Sequence, residues 1–497
     1  MISAMKMNIS VFVIVIPLFI AFVLPTFGHH LKLVEGLVLS TETIWLLGAG
    51  YLASVVLLKD GIPIIYSLGG WAAPWGIELK IDSLAAFFLL IVTGVSLPVA
   101  LFARGNLADE IGNKERIARF YVLLLLLGGA MAGMALTNDL FNVFVLVEVS
   151  TLSCCGLVSA RNHPKAAEAA FKYLILATLG SVLVLGGIGF IYTLTGHLNM
   201  EFAHRGLNEI WQNAPHVIWM AMSFTLIGFG VKSALSPLHL WLPDAHSIAP
   251  TPASAILSGL AVKGYIVCFL KIIYIVFGQN LIQQFNMHRI LTLMGMAAII
   301  VGSLFALYQE ELKRRLAYST IAQIGYIFLG LGLMNVTGMK GTLFYLASHA
   351  VIKSSLFLAA GAIIAATGKK NIGDLAGIGH KMPITMLTFT IASLGLIGIP
   401  IFSGFIGKWY LLLGSLEAGN IFAVAIIILG SVLCAAYLLP IIRIAYFGLT
   451  PKENFSDPGL SQKLALIMLA GTVIILGILP GPVLELASRA AFELLTL

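Results

Sequence analysis

The sequence predicts an all-α polytopic membrane protein with about fourteen transmembrane helices. Of its 497 residues, 59% are hydrophobic and only 10% are charged, whereas a soluble domain carries about 25% charged residues. The mean hydropathy is +0.99. Apolar runs of about 18 to 27 residues, each long enough to cross a bilayer as a helix, recur along the whole chain.

The predicted spans follow one another with short connections between them. The first is longer than a typical signal-peptide core and is expected to be a retained span. The seventh and twelfth are over-long and are interrupted around Ser236-Pro237 and between Pro400 and Gly404. Such breaks free backbone carbonyls, which is tolerated at membrane depth only where protein or water satisfies them. In order, the spans cover residues 8–27, 36–58, 83–103, 119–137, 140–158, 171–195, 217–247, 252–277, 288–308, 316–335, 341–367, 383–414, 421–446 and 463–483.

The two broken helices lie five spans apart, which is typical of transporters built from inverted repeats with a site near the bilayer midplane. Residues 61–82 are rich in Gly and Pro, alternate around Gly69-Gly70, and predict an external hairpin. The chain is therefore expected to divide into residues 1–118 with helices 1 to 3 and the hairpin, 119–277 with helices 4 to 8, 288–446 with helices 9 to 13, and 447–497 with helix 14.

Basic residues predict the orientation, because short cytoplasmic loops collect Lys and Arg. One set of loops holds seventeen of them, and the opposite set, together with the termini, holds seven. Both termini are therefore expected to face the outside of the cell membrane. The remaining five fall inside predicted spans: Lys232, Lys263, Lys271, Lys353 and Lys408.

The same observations argue against several classes of function. The net charge of +7 does not indicate nucleic-acid binding, because the basic residues are scattered singly between apolar spans. The four cysteines lie inside apolar spans without the spacing of a metal site, so we expect them to be packing residues. No dinucleotide, P-loop or serine-hydrolase motif is legible. We therefore expect no metal, no cofactor and a non-catalytic subunit.

Ionisable residues inside the spans indicate an ion or proton path, since each costs at least roughly 2.5 to 3.5 kcal/mol at membrane depth. Glu148 lies in the middle of the fifth span, and Lys232 falls five residues before Pro237. If the two are adjacent, the charge on one controls the protonation of the other. The structural alternatives are a neutral Glu148 bonded between helices, or an ion pair that never titrates.

The region after the first break holds further candidates. Lys263 lies near the middle of the eighth span and is favoured over Lys271, which could snorkel from a helix end. His239 and His246 flank the break and could relay protons or serve as structural hydrogen-bonding groups. Asp244 is expected to organise the loop by accepting backbone N–H bonds.

The second half has a parallel set. His349 and Lys353 are four residues apart on one face of the eleventh span, which makes a proton wire plausible. Lys408 follows the break at Pro400 and is expected to be the counterpart of Lys232 and the exit-side proton carrier. A snorkelling lysine is the alternative for Lys408.

Four stretches carry a resemblance to a known family: PLHLWLPDAHSIAPTPASAILSGLAVKG (237–264), EELKRRLAYSTIAQIGY (310–326), SHAVIKSSLFLAAG (348–361) and GIPIFSGFIGKWY (398–410). In order and spacing they resemble the antiporter-like subunits. That family comprises the proton-pumping membrane subunits of respiratory complex I, the large subunits of Mrp-type cation/proton antiporters, and their relatives in membrane-bound hydrogenases. The resemblance covers residues 61 to 443.

The resemblance implies a role for each matching residue. Glu148 and Lys232 would form the charge pair of helices five and seven, and Lys263 would be the connecting lysine of helix eight. His349 would be a central relay, and Lys408 the terminal lysine of helix twelve. It also implies the fourteen-helix fold with inverted repeats, and partner subunits in the membrane.

One position departs from the pattern, since Gln323 stands where some family members carry a relay histidine. Glutamine cannot take up a proton, so a relay there would need water or the neighbouring His349. Two features favour a Mrp D-like subunit. Position 408 is a lysine, where one complex I branch has glutamate, and the sequence ends soon after helix 14. The intact LPDAH run points towards complex I and hydrogenase relatives.

The leading hypothesis is therefore a proton-translocating, Mrp D-like subunit of a membrane-bound hydrogenase or related redox complex, with sodium transport left open. The alternatives are a subunit of a stand-alone Mrp-type sodium/proton antiporter, a non-transporting scaffold subunit, and a transporter of a small organic solute.

Overall fold

A computed structural model describes residues 2–59, 62–449, 453 and 455–496, with side chains from residue 9 onward. Some positions used in the loop and hairpin predictions lie outside the described part: the side chain of Lys6, and Gly61 and Lys452. The described chain is almost entirely helical, with one short hairpin. The helices are α1 (Ile2–Val23), α2 (Leu31–Leu58), α3 (Ser83–Ile111), α4 (Lys114–Leu136), α5 (Leu140–Ser159), α6 (Pro164–Thr195), α7 (Met200–Ile210), α8 (Pro215–Lys232), α9 (Trp241–Ile248), α10 (Thr251–Gln284), α11 (Met287–Tyr308), α12 (Leu312–Leu331), α13 (Val336–Thr367), α14 (Pro383–Ile397), α15 (Ser403–Glu417), α16 (Ile421–Phe447), α17 (Leu460–Ile478) and α18 (Gly481–Thr496).

Among the described residues, eleven helices are long and apolar enough to cross a membrane: α1 to α6, α10, α11, α13, α16 and α17. The chain is thus a polytopic all-α membrane protein. Three other predicted spans correspond to the interrupted pairs α8–α9 and α14–α15 and to α12, whose first turn carries Lys313, Arg314 and Arg315.

Both predicted breaks are present. After α8 ends at Lys232, residues 233–240 form turns before α9 begins, and Pro237 lies in this segment. Between α14 and α15 the chain is irregular over residues 398–402, which include Pro400. The backbone carbonyls that this second break frees accept hydrogen bonds from Lys408.

Two helices were not predicted. The segment α7 is too short and too polar to span a bilayer, and it lies between α6 and α8. The segment α18 follows α17, which ends at Ile478 rather than at residue 483 as predicted. Both are amphipathic, so neither gives the long apolar run by which spans are recognised.

The predicted hairpin is confirmed. Strand β1 (Ile64–Ser67) pairs antiparallel with β2 (Glu78–Ile81), and Gly69 and Gly70 take positive φ values in the connection. Lys80 of the hairpin bonds Glu201 of α7 at 2.7 Å. Burial lowers the pKa of Lys80, but this bond and the nearby carboxylates outweigh it and raise the pKa above its usual value. The hairpin is therefore fastened to the helices by a charge pair.

Loop contacts define two ends of the helical bundle. At the hairpin end, Asn138 N–H donates to the Glu78 carbonyl, and Glu493 of α18 accepts from Ser83 at the start of α3. At the other end, the loops 112–113, 160–163, 309–311 and 368–382 lie together, joined by bonds such as Leu312 N–H to the Lys370 carbonyl. We call this the basic end, because most loop lysines and arginines flank it.

Candidate functional site

The charge pair of the first half is formed. Lys232 Nζ lies 3.3 Å from Glu148 Oε1 and donates to Thr151 Oγ1 at 2.6 Å. Ser181 of α6 also donates to Glu148 Oε1. The lysine side chain is fully buried, whereas that of Glu148 is 30% exposed on the flank of the chain. The carboxylate is therefore the partner that a neighbouring subunit or the membrane can reach.

Close helix packing places Lys232. At the crossing of α6 and α8, a Cβ added to Gly180 would lie 2.9 Å from the Gly228 carbonyl oxygen and 3.3 Å from Lys232 Cγ. Only glycine allows the two backbones to approach this closely. The lysine then extends from the last residue of α8 to α5, where Glu148 lies.

The aromatic ring of Tyr265 connects this pair to α10. Lys232 Nζ lies 5.6 Å from the ring centroid, and the Tyr265 hydroxyl lies 3.0 Å from Ser150 Oγ. Lys263, two residues earlier on the same helix, donates instead to the carbonyl of Ser258. Ser258 belongs to a π-helical turn, residues 257–261, and its hydroxyl lies 2.9 Å from Thr320 Oγ1. A widened turn frees carbonyls from the regular helical ladder.

A buried group drawn from both halves is called the lysine–histidine cluster here: Lys263, Lys353, Lys408, His246 and His349. His349 is within electrostatic reach of all three lysines. Among the described residues, neither ring nitrogen of His246 or of His349 has a hydrogen-bond partner. Both rings are instead held by stacking, His246 on Phe357 at 4.7 Å and His349 on Tyr345 at 6.1 Å. Both are therefore chemically free to accept or donate a proton.

Lys353 does not bond its helical neighbour His349. Its Nζ donates to the Leu316 carbonyl at 2.8 Å and to Ser319 Oγ, both on α12. The predicted four-residue spacing therefore places the two groups on one helix without a direct bond between them.

Gln323 is built into a chain of hydroxyls. The Tyr345 hydroxyl donates to Gln323 Oε1, and the Gln323 amide donates to the Tyr437 hydroxyl at 3.3 Å. Tyr345 is the residue on which His349 stacks. The glutamine thus orients the aromatic residue beneath the histidine.

Lys408 lies beside the second break. Its Nζ donates to the carbonyls of Leu396 and Ile397, at 2.9 and 3.1 Å, and to Ser431 Oγ at 3.1 Å. The ring of Tyr326 lies 4.6 Å from the same nitrogen. A groove of about 330 Å³ between α15 and α16 reaches Lys408 from the surface of the chain. Because Lys408 is buried and bonds inward to α14, it does not snorkel.

Two residues have partners that the sequence did not indicate. Lys271 does not snorkel either, since it is buried and donates to the carbonyls of Ala135 and Thr137 at the end of α4. Asp244 lies in the first turn of α9, and its carboxylate pairs with Arg314 at 3.3 Å and Lys172 at 3.7 Å. Long cations from two neighbouring helices reach this carboxylate, which therefore bridges α6, α9 and α12 rather than capping the loop.

The turn between α9 and α10 is held by residues that were not among the predicted site residues. Glu110 accepts from the backbone N–H and the hydroxyl of Thr251, at 2.6 and 2.7 Å. Arg161 and Lys313 donate to the carbonyls of Ile248 and Ala249. The acid lies at the start of a helix and the cations at the end of another, as helix dipoles favour.

His239 occupies the irregular segment before α9, where its ring lies 6.4 Å from that of Tyr318. Of the cysteines, Cys154, Cys268 and Cys434 are buried and Cys155 is half-buried. Another buried acid, Glu42 of α2, was also not predicted. Its presence inside the apolar run 36–58 was a signal, but the sequence offered it no partner.

The arrangement suits proton transfer. It combines one carboxylate with six buried lysines and histidines, namely Lys232 and the five members of the lysine–histidine cluster. Nearby hydroxyl groups can both donate and accept hydrogen bonds. Among the described residues, no group of three or more His, Cys, Asp or Glu side chains could hold a metal ion.

Comparison with known proteins agrees with the polytopic all-α fold. The family model described as "NADH:quinone oxidoreductase/Mrp antiporter, TM" matches residues 137–434, and the one described as "NADH-Ubiquinone oxidoreductase (complex I), chain 5 N-terminus" matches residues 66–121.

Individual relatives come from both branches of this family. The chain is 36% identical to NADH-quinone oxidoreductase subunit N of Desulforudis audaxviator, over 90% of this chain and 89% of that protein. It is 30% identical to a putative antiporter subunit, mnhD2, of Staphylococcus aureus, over 98% and 96% of the two chains. A chain of the membrane-bound sulfane sulfur reductase, an archaeal respiratory membrane complex, superposes with a TM-score of 0.90 at 31% identity, over 98% and 97%. The chain therefore belongs to the NADH:quinone oxidoreductase/Mrp antiporter family of membrane subunits.

Proposed function

We propose that the chain is a proton-translocating subunit of a multisubunit, redox-driven membrane complex. One observation carries the proposal: the fully buried Lys232 is paired with a carboxylate that reaches the flank of the chain. A charge arriving beside Glu148 from a neighbouring subunit would change the proton affinity of Lys232. That couples proton transfer to events outside the chain.

Protons would enter near Glu148 and Lys232. They would continue through the lysine–histidine cluster, beginning at Lys263, and leave near Lys408. His349 is suited to the central position, because three lysines act on it electrostatically. Tyr265 lies between the first pair and Lys263, and would pass the proton through its hydroxyl and bound water. His239 and His246 would serve the same path at the first break.

In this proposal the chain crosses the membrane fourteen times, with α8–α9 and α14–α15 each counting as one interrupted crossing. The fourth to eighth crossings and the ninth to thirteenth crossings would form two inverted repeats, each containing one of the breaks. The basic end would face the cytoplasm and both termini the outside, as the loop charges favour. The relatives named above are subunits of assemblies, which supports partner subunits in the membrane.

The test is proton uptake by membrane vesicles that contain the intact complex, normalised to assembled complex. We expect Glu148→Gln and Lys232→Ala each to reduce transport at least about tenfold without loss of assembly. Lys165→Ala, which changes an exposed lysine of α6, is the matched control and should transport normally. Unchanged transport in both site variants would contradict the assignment, and loss of assembly alone would favour a scaffold.

The similarity to the putative antiporter subunit favours a second candidate, a subunit of a Mrp-type sodium/proton antiporter. Metal analysis of the purified assembly separates the two. Nickel would identify a hydrogenase, iron–sulfur clusters without nickel another redox complex, and neither would indicate an antiporter, whose sodium transport can then be measured directly.

A further inference from the structure

Outside the proposed path, one carboxyl group is fully buried among the described residues of the first four helices. Glu42 of α2 is 0% exposed. Ser96 of α3 donates to its Oε1 at 2.8 Å, while Oε2 has no hydrogen-bond partner among the described residues. No cation in the described part of the chain pairs with it. An ionised carboxylate in such a place would be an uncompensated charge at membrane depth, so the neutral acid is the stable form.

The helices around Glu42 supply few other ionisable groups. From α3 it faces Ser96, and α1 presents no charged side chain between Ile9 and Val23. From α4 the nearest titratable group is Tyr121, whose buried hydroxyl has no partner among the described residues. On α2 itself, Glu35 lies seven residues away, about two helical turns, and therefore on the same face.

Glu35 is itself buried and reaches the surface through its partner Arg104. Its Oε2 lies 3.3 Å from Arg104 Nε, and the arginine side chain is 52% exposed. Arg104 is eight residues from Ser96 along α3, about 12 Å towards the basic end. The same two helices thus carry a charge pair whose arginine is exposed and, about two turns deeper, the fully buried Glu42.

Tyr121 of α4 lies nearer the basic end than Glu42. Helices α2 and α4 run in the same direction, since Gly28 is near Ala118 and the Trp45 ring covers Gly128. Counting about 1.5 Å per residue, the Trp45 contact places Tyr121 about 6 Å nearer the basic end than Glu42, and the Gly28 contact places it nearer still, whereas Glu35 is about 10 Å nearer. Both Glu35 and Arg104 act electrostatically on Tyr121. Its hydroxyl can accept a proton from one side and donate one to the other.

We propose that Glu42 is a second proton-binding site, loaded from the basic end through the Glu35–Arg104 pair and the Tyr121 hydroxyl. Its Oε2 carries the proton, and Ser96 holds the carboxyl group in place. This route lies in helices α2 to α4 and is separate from the Glu148–Lys232 pair of α5 and α8. Taking the proton as transported cargo rests on the proposed function, whereas reversible protonation of Glu42 does not.

The experiment compares Glu42→Gln, Glu42→Ala and Glu42→Asp in vesicles with the intact complex. Glutamine keeps an oxygen that accepts from Ser96 but cannot exchange a proton. We expect Gln and Ala to lower proton transport by a similar factor, about tenfold, and Asp to retain most of it. Glu209→Gln, which alters an exposed carboxylate of α7, should transport normally. If Glu42→Gln matches wild type while Glu42→Ala fails, Glu42 is a structural hydrogen-bond acceptor and the proposal is overturned.

A second readout does not depend on transport. Dicyclohexylcarbodiimide modifies protonated carboxyl groups in membranes, and mass spectrometry locates the adduct. We expect modification of Glu42 that falls as pH rises, and no modification of Glu209. Modification of Glu42 in a complex that transports no protons would overturn the proposed function and leave the site standing. Wild-type transport by Glu42→Gln, without pH-dependent modification, would remove the site and leave the function.

Discussion

Lys232 and Lys408 are both buried lysines beside an interrupted helix, yet they are stabilised differently. Lys232 is the last residue of α8, before the break, and pairs with the Glu148 carboxylate. Lys408 lies in the second turn of α15, after the break, and bonds the carbonyls that end α14. The two are counterparts in their nearness to a break and not in their partners.

The difference separates a switchable partner from a permanent one. A carboxylate can be protonated, moved or screened, so the charge on Lys232 can respond to events at the flank of the chain. The negative end of a helix is built from backbone carbonyls and stays in place. We therefore expect the first site to receive the signal and the second to hold a proton in a fixed position until it is released.

The largest expected effect tests whether Lys408 is more than a helix cap. Lys271 is the internal comparison, because its ammonium group, like that of Lys408, donates to two backbone carbonyls at a helix end. We expect Lys408→Ala to reduce proton uptake per assembled complex at least about tenfold, with assembly intact. Lys271→Ala should instead lower the amount of complex, because the end of α4 loses its donor, while uptake per complex stays within about twofold. Equal behaviour of the two variants would make Lys408 structural.

An intermediate effect is expected in a double-mutant cycle, measured by unfolding of the solubilised complex in graded SDS. Glu148→Gln and Lys232→Met should be coupled by about 0.5 to 3 kcal/mol, because the two side chains touch. Glu148→Gln and Lys408→Met should be additive within about 0.5 kcal/mol, as expected of separate sites. Strong coupling in the second cycle would show that the two sites do not act independently.

The smallest effects should come from single hydroxyls. Ser181→Ala removes a donor to the Glu148 carboxylate and should lower proton uptake about threefold. Ser431→Ala leaves two carbonyls on Lys408 and should change uptake less than about twofold. Initial rates of uptake by vesicles, at equal amounts of complex, distinguish the two values. A larger loss for Ser431→Ala would reverse the proposed ranking of the sites.

Much of this fold could be read from composition and pattern. Long apolar runs predict spans, because a bilayer demands about 20 apolar residues for each helix. Proline and glycine located both breaks, and alternation around Gly69-Gly70 predicted the hairpin. The amphipathic helices α7 and α18 were missed, since their polar faces hide them from a search for apolar runs.

The sequence by itself also identified ionisable residues that lie inside predicted membrane spans. They include Glu148, Lys232, Lys263, His349, Lys353 and Lys408. Their energetic cost is a property of residue type and depth, so it can be inferred without coordinates. The hydrogen-bond and ion-pair partners of most of these residues cannot be inferred in this way, because the partners lie far apart in the sequence. The family resemblance implied the Glu148–Lys232 pair, and the tertiary structure shows the contact. Only the tertiary structure decided that Lys408 and Lys271 bond helix ends, that Asp244 links α6 to α12, and that Glu42 is buried with no cation partner among the described residues.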